Sequence, residues 1–299
     1  MKLITPFLIV TSFLAVGQPI PQTWKEGYAI NKNVKIHFVT AGEGPLVILL
    51  HGFPDYWYSW RNIIPELEEN YTVVAIDLRG YNKSSAPEGV ENYKMSRLME
   101  DVISVMDHFD AETATIMGHD WGGAIAWNVT FWYPSRVEKL VVLNVPHPNG
   151  LNRELAKSAS ANEGKTYASK FLEPNAHETL TNEWLSGWVN EAEVRPFYIE
   201  AFKRSSKKAM LNYYKANFPN PGSESESASN REIPSIKCPV LLIHGLDDPY
   251  LSKEGLNGTW DWIDSPLTIV TIPNAGHFVQ HDAPIEVAKS IKSWLTIYD

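Results

Sequence analysis

The sequence predicts an α/β fold: a mostly parallel, doubly wound sheet interrupted by one inserted helical segment. Three observations carry that prediction. Short apolar, β-branched runs alternate with segments whose apolar residues recur every three or four positions. A strand, a glycine-rich turn and a helix follow one another between Thr113 and Trp127. The core pattern breaks off after Leu143 and resumes only at Cys238. With 299 residues, 44% of them hydrophobic, the chain can bury a full sheet without a second independent core.

Taken in order, Met1 and Lys2 precede an apolar run from Leu3 to Val16, and Ala15-Val16-Gly17 offers small residues for cleavage before Gln18. That is the layout of a signal peptide over residues 1–17, and an exported protein is expected. The run is short of the ~20 apolar residues a spanning helix needs. Val34 to Val39, Pro45 to Leu50 and Tyr71 to Ile76 read as strands. Trp57 to Leu67, Met95 to Phe109 and Ile285 to Leu295 have helical spacing, as crossover helices should. Residues 18–146 and 233–299 form the expected core, and 147–232 the insertion with its return linker. Between Pro219 and Pro234 the run has too few apolar residues to pack. Core strands then resume at Pro239 to Ile243 and at Leu267 to Ile272.

The chemistry is concentrated in GHDWGG, Gly118 to Gly123. Its strand–turn–helix setting is the elbow that displays a nucleophile, and residue 120 at the tip is an aspartate. A carboxylate, with a reference pKa of about 3.9, is ionised at neutral pH and suits displacement at a saturated carbon. The resulting ester on Asp120 needs a base to activate water and a second carboxylate to orient that base. Both occur downstream in the expected order. HGLDDPY supplies Asp247 and Asp248, and PNAGHF supplies His277. From the residues alone either aspartate could be the orienting acid, the other being a solvated turn residue. HGFP, from His51, follows a strand and can offer the Phe53 N–H, with the Trp121 N–H, to a developing oxyanion.

HGFP, DLRGYNKSS from Asp77, GHDWGG and the AGHF turn together resemble the epoxide hydrolases of the α/β-hydrolase superfamily, over nearly the whole chain after the leader. The resemblance implies an α/β-hydrolase fold with an inserted helical lid, a small apolar epoxide and water as substrates, and neither cofactor nor metal. It favours Asp248 over Asp247. It also implies two lid tyrosines that hydrogen-bond the epoxide oxygen: Tyr167 in TYASKFLEP, and Tyr214 in LNYYKANFP with Tyr213 as the alternative. A phenol, with a pKa near 10, remains protonated at rest and can protonate the alkoxide left by ring opening. Haloalkane dehalogenases share the aspartate elbow and its following tryptophan. They usually carry an asparagine or a second indole in the loop after His51, where this chain has Phe53. Fluoroacetate dehalogenases typically carry an arginine after the nucleophile, where this chain has Trp121. A noncatalytic ligand-binding protein on the same scaffold is the reading from another class; such proteins often lack a catalytic group, and here each position is filled.

Charge and composition narrow the partners. The net charge is −9, and Lys and Arg are dispersed except between Lys203 and Lys208, which reads as a solvated helix face rather than a nucleic-acid surface. Cys238 is the single cysteine, so an intrachain disulfide is excluded, and its place beside a strand suggests a core residue. His277 and His281 stand four apart before Asp282, but Gly276 favours a turn and no HExxH is present, so they are not read as a metal pair. The sequon Asn128-Val129-Thr130 falls on the helix after the elbow, where a glycan would meet the core, which favours a bacterial periplasm or exterior. Trp57, Tyr58, Trp60, Trp127, Trp184 and Trp188 are candidates for an apolar cavity lining, and His119 and His147 for turn or backbone contacts.

Overall fold

The computed structural model describes residues 20–160, 167–218 and 233–298. The leader 1–17 and most of the return run lie outside them. Eight strands form one sheet: β1 (Lys25–Asn31), β2 (Val34–Ala41), β3 (Leu46–Leu50), β4 (Thr72–Ile76), β5 (Ala114–His119), β6 (Val137–Leu143), β7 (Val240–Gly245) and β8 (Leu267–Ile272). Their order is β1-β2-β4-β3-β5-β6-β7-β8. β2 pairs antiparallel with β1 and β4, and every other pairing is parallel. All residues of β3, β5 and β7 are buried, as expected of strands covered on both faces.

Ten α-helices accompany the sheet among the described residues: α1 (Ile64–Leu67), α2 (Met95–His108), α3 (Trp121–Trp132), α4 (Pro148–Ser160), α5 (Tyr167–Phe171), α6 (Asn182–Leu185), α7 (Arg195–Arg204), α8 (Lys207–Asn217), α9 (Val279–Asp282) and α10 (Pro284–Tyr298). α2 buries Leu98, Met99, Val102, Val105 and Met106, the three-and-four spacing read from the sequence. The expected helix Trp57 to Leu67 is broken into a 3-10 turn at Trp57–Trp60 and the short α1. Pro65, in the first turn of α1, explains the break, because it has no N–H and crowds the preceding turn. Strand β1 had no counterpart in the sequence reading. It is an edge strand whose buried side chains are Ala29 and Asn31, and Gly27 interrupts its pattern.

Helices α4 to α8 all lie between β6 and β7, where the sequence placed its insertion. α8 fastens them to the core. The Tyr213 hydroxyl donates to the Arg79 carbonyl at 2.8 Å, and the Ser206 N–H to the Gly80 carbonyl at 2.9 Å. The Asn217 amide accepts from Met95 N–H and donates to the Tyr93 carbonyl. The DLRGYNKSS stretch thus anchors the insertion, and Arg79 is itself locked by a buried two-bond pair with Asp101 of α2. Cys238 is half-buried beside β7, with its thiol pushed up by burial to about 12.

Candidate active site

The carboxyl ends of five neighbouring strands, β3, β5, β6, β7 and β8, deliver the site, the usual place for chemistry in an open parallel sheet. Asp120 sits between β5 and α3 at φ 50° and ψ −120°. A non-glycine residue held there costs about 1–3 kcal/mol and persists only where its surroundings enforce it. Those surroundings are tight. A Cβ on Gly122 would stand 2.1 Å from the Leu50 carbonyl oxygen, and one on Gly52 would stand 2.4 Å from the Asp120 Cβ. Glycine at both positions lets the elbow, the end of β3 and the HGFP loop approach one another.

The carboxylate is buried. Its Oδ1 accepts the Phe53 N–H at 2.7 Å, and its Oδ2 lies 3.4 Å from His277 Nε2. His277 follows β8, and its Nδ1 meets Asp248 Oδ2 at 2.8 Å. The choice between the adjacent aspartates is geometric: Asp247 is exposed, while the Asp248 side chain is 1% exposed. Asp248 Oδ1 accepts the N–H groups of Tyr250 and Leu251, and Oδ2 also accepts from the Asn144 amide at 2.7 Å. Trp121 opens α3. Its N–H precedes the first intrahelical bond, Ala124 N–H to the Asp120 carbonyl, and so belongs to the free donors of a helix start.

Burial alone would favour a neutral Asp120, but the hydrogen bond and charge of His277, helped by the Phe53 N–H, hold its carboxyl below the ordinary range. Asp248 is likewise disfavoured as an anion by burial and is brought down to about 2 by His277 and Asn144. Burial opposes charge on His277, yet hydrogen bonds and charges from Asp120 and Asp248 raise it to about 9. At neutral pH the resting site is therefore an imidazolium between two carboxylates.

Two other histidines are kept neutral. Burial, with the neighbouring His277, lowers His119 to about 4, and its Nε2 donates to the His277 carbonyl at 2.8 Å. Burial also lowers His51, whose Nε2 accepts the Leu78 N–H and whose Nδ1 donates to the Gly52 carbonyl. His147 is held in an aromatic setting, stacked on Trp262 at 4.7 Å.

Asp120 and His277 open into a cavity of about 420 Å³, lined chiefly by Phe53, Phe171, Trp184, Trp188, Tyr214, Tyr250 and Phe278. Tyr214 and Tyr213 are separated by their side of α8. Tyr214 lines the cavity, with its ring 5.5 Å from Phe53 and 5.0 Å from Phe171, whereas the Tyr213 hydroxyl is committed to Arg79. Tyr167 opens α5, the helix that ends at the cavity residue Phe171; its side chain lies outside the described residues. Of the candidate lining aromatics, Trp184 and Trp188 do line the cavity. Trp57, Trp60 and Trp127 are instead fully buried core residues. The Trp121 ring packs on Tyr213, Tyr214 and Phe218 and is not among the lining residues.

Asn144 was missed from sequence. It directly follows β6 at φ 56°, a region asparagine tolerates, and spans Asp248 and the Gly276 carbonyl. A lone asparagine at a strand end was its only signal. Tyr250 was also missed: its ring stands edge-on to His277 at 5.2 Å.

An eight-stranded sheet with a strained aspartate at the elbow, backed by a histidine–aspartate pair, defines an α/β hydrolase with a carboxylate nucleophile position. The α/β-hydrolase-fold family model matches residues 45–284. The AB hydrolase superfamily protein YfhM of Bacillus subtilis is 32% identical over 89% of this chain and 96% of its own. Human epoxide hydrolase 4 is 31% identical over 89% of this chain and 76% of its own. The crystal structure of a Bacillus megaterium epoxide hydrolase in complex with an inhibitor superposes with a TM-score of 0.82 at 30% identity, covering 90% of this chain and all of that one. The chain belongs to the α/β-hydrolase family and, within it, to the epoxide hydrolases.

Proposed function

We propose that the protein hydrolyses an apolar epoxide to a vicinal diol through an alkyl ester on Asp120. The observation that carries the reading is the alignment of Phe53 N–H, Asp120, His277 and Asp248 at the floor of an apolar cavity. Phe53 holds Oδ1 in place, which leaves Oδ2 as the attacking atom. Oδ2 displaces the epoxide oxygen from one ring carbon, and that oxygen takes a phenolic proton from Tyr214, with Tyr167 as the second donor of the lid formed by the insertion.

Esterification removes one of the two anions that keep His277 charged, so its proton affinity falls. The imidazolium returns a proton to the tyrosinate and becomes a neutral base. It then takes a proton from water, and hydroxide adds to Asp120 Cγ. The oxyanion on Oδ1 is held by the Phe53 and Trp121 N–H groups. Collapse expels the diol oxygen, which takes a proton from the new carboxylic acid of Asp120. Asp120 is again anionic and His277 again protonated. Asp248, itself fixed by Asn144, keeps the imidazole oriented throughout.

Halide release is the competing reading. Against it stand the Trp121 ring, which packs behind Tyr214 rather than lining the cavity, and the Trp188 indole N–H, which donates to the Pro54 carbonyl at 3.2 Å. The test scores diol and halide separately on epoxide and haloalkane panels with purified mature protein. Diol alone, lost in Asp120→Ala, is expected; halide alone would transfer the site to dehalogenation, and tight binding without turnover would make it a ligand-binding protein.

A further inference from the structure

A second buried cluster lies behind the cavity wall and takes no part in the chemistry above. Its centre is His281, on α9, whose side chain is 5% exposed. The Arg61 guanidinium, which can only donate, meets His281 Nδ1 at 3.2 Å, so the proton of the ring is on Nε2. Nε2 lies 3.1 Å from Ser59 Oγ, 3.4 Å from Asp55 Oδ2 and 3.4 Å from the Tyr198 hydroxyl. Asp55 is fully buried and also accepts from Ser59 at 2.6 Å, and Gln280 donates to Ser59 at 2.9 Å.

The partners fall on two sides of a boundary. Asp55, Ser59 and Arg61 belong to the core segment after β3, whereas Tyr198 belongs to α7 of the insertion. Arg61 continues across to Glu191 of the insertion at 2.8 Å. The edge of the His281 ring also meets Trp188, with centroids 4.7 Å apart at 73°. Trp188 in turn stacks flat on Phe278, with centroids 3.7 Å apart and planes 4° apart, and both rings line the cavity beside His277. Tyr198 closes the set edge-on to Trp188 at 5.2 Å.

We propose that His281 is a positioning residue that holds Trp188 on Phe278, and that the wall so fixed selects substrates with a large flat group on the epoxide. The proposal rests on the epoxide reading for its substrate but not for its geometry. A side chain that cannot both accept from Arg61 and donate to Asp55 and Ser59 leaves buried polar groups unpaired, and the core loses its grip on the Trp188 segment. Glutamine can do both, through its amide oxygen and nitrogen. Leucine can do neither.

The test compares wild type, H281L, H281Q and W188A with an aryl glycidyl ether and a three-carbon terminal epoxide. In H281L and W188A, the ratio of kcat/KM for the large over the small substrate should fall about threefold to tenfold, the span of one lost aromatic contact, mainly through KM. H281Q should restore most of the ratio. Combining H281L with W188A should lower it no further than either alone, because both act on one wall. Hydrogen exchange of residues 184–192 is followed in the same proteins and should quicken in H281L but not in H281Q. An unchanged ratio in folded H281L, or additive effects in the double variant, overturns the proposal. If wild type opens no epoxide, it is the epoxide reading that fails. Hydrogen exchange then decides the positioning role: quickening supports it and wild-type exchange overturns it. H281N, too short to reach both sides, replaces H281L if H281L does not fold.

Discussion

His277 carries the most informative charge in the molecule, because two buried carboxylates overcome its own burial and raise it to about 9. A histidine whose pKa rises on folding contributes stability that is complete below its unfolded value, about 6.5, and is lost as pH climbs through the folded value. The wild-type advantage in Tm over His277→Gln should therefore be larger at about pH 6 than at about pH 10. A constant difference across that window would contradict the imidazolium assignment. The same residue shows what sequence can and cannot disclose. The places of His277 and Asp120 were legible because chain order and the elbow restrict where the proposed base and nucleophile can stand. Asp248 was preferred to Asp247 on the family resemblance alone, since adjacent residues on a turn differ only in which way they face. Asn144 was invisible for a related reason: its partners, Asp248 and Gly276, lie 104 and 132 residues away.

At the scale of elements, α8 does two jobs with consecutive tyrosines. Tyr213 ties the insertion to Arg79, and Tyr214 faces the cavity. Tyr214→Phe should slow ester formation by about 10²-fold, within the usual range for general acid catalysis, with little change in Tm. Tyr213→Phe should instead lower stability by about 1 kcal/mol, the worth of one hydrogen bond, and leave ester formation nearly as fast. Rapid-quench kinetics with thermal melts separate the two; equal effects from both variants would undo the division of labour. The parallel strands were readable as continuous β-branched runs, because strands covered on both faces must be apolar throughout. β1 was not, because an edge strand with one covered face and a central glycine gives half the signal. The helix expected from Trp57 to Leu67 carried a sound apolar period, and Pro65 overrode it.

Across the whole molecule, the strand ends of one sheet provide the proposed nucleophile, base and acid, and one insertion provides Phe171, Trp184, Trp188 and Tyr214 of the cavity wall. The division explains why the sequence disclosed the reaction class more fully than the substrate. Catalytic groups sit at fixed points of the sheet, whereas the cavity depends on how Phe171, Trp184 and Trp188 are placed by helices with weak local signals. Among the described residues, no helix is long and apolar enough to cross a membrane. The apolar leader, outside those residues, underlies our proposal that the protein is exported and begins at Gln18 after cleavage. Intact-mass measurement on protein from its native host should give that shortened chain, and a mass that includes Met1 would refute export by this route.

The central claim is that the epoxide is opened by Asp120 and not by water. A single turnover in water enriched in oxygen-18, with enzyme in excess over epoxide, tests it most directly. In this account the first diol carries an unlabelled oxygen taken from Asp120, and the label appears in the Asp120 carboxylate. Label in the diol of the first turnover, with an unlabelled Asp120, would mean that water attacks the ring directly and that the elbow aspartate plays another part.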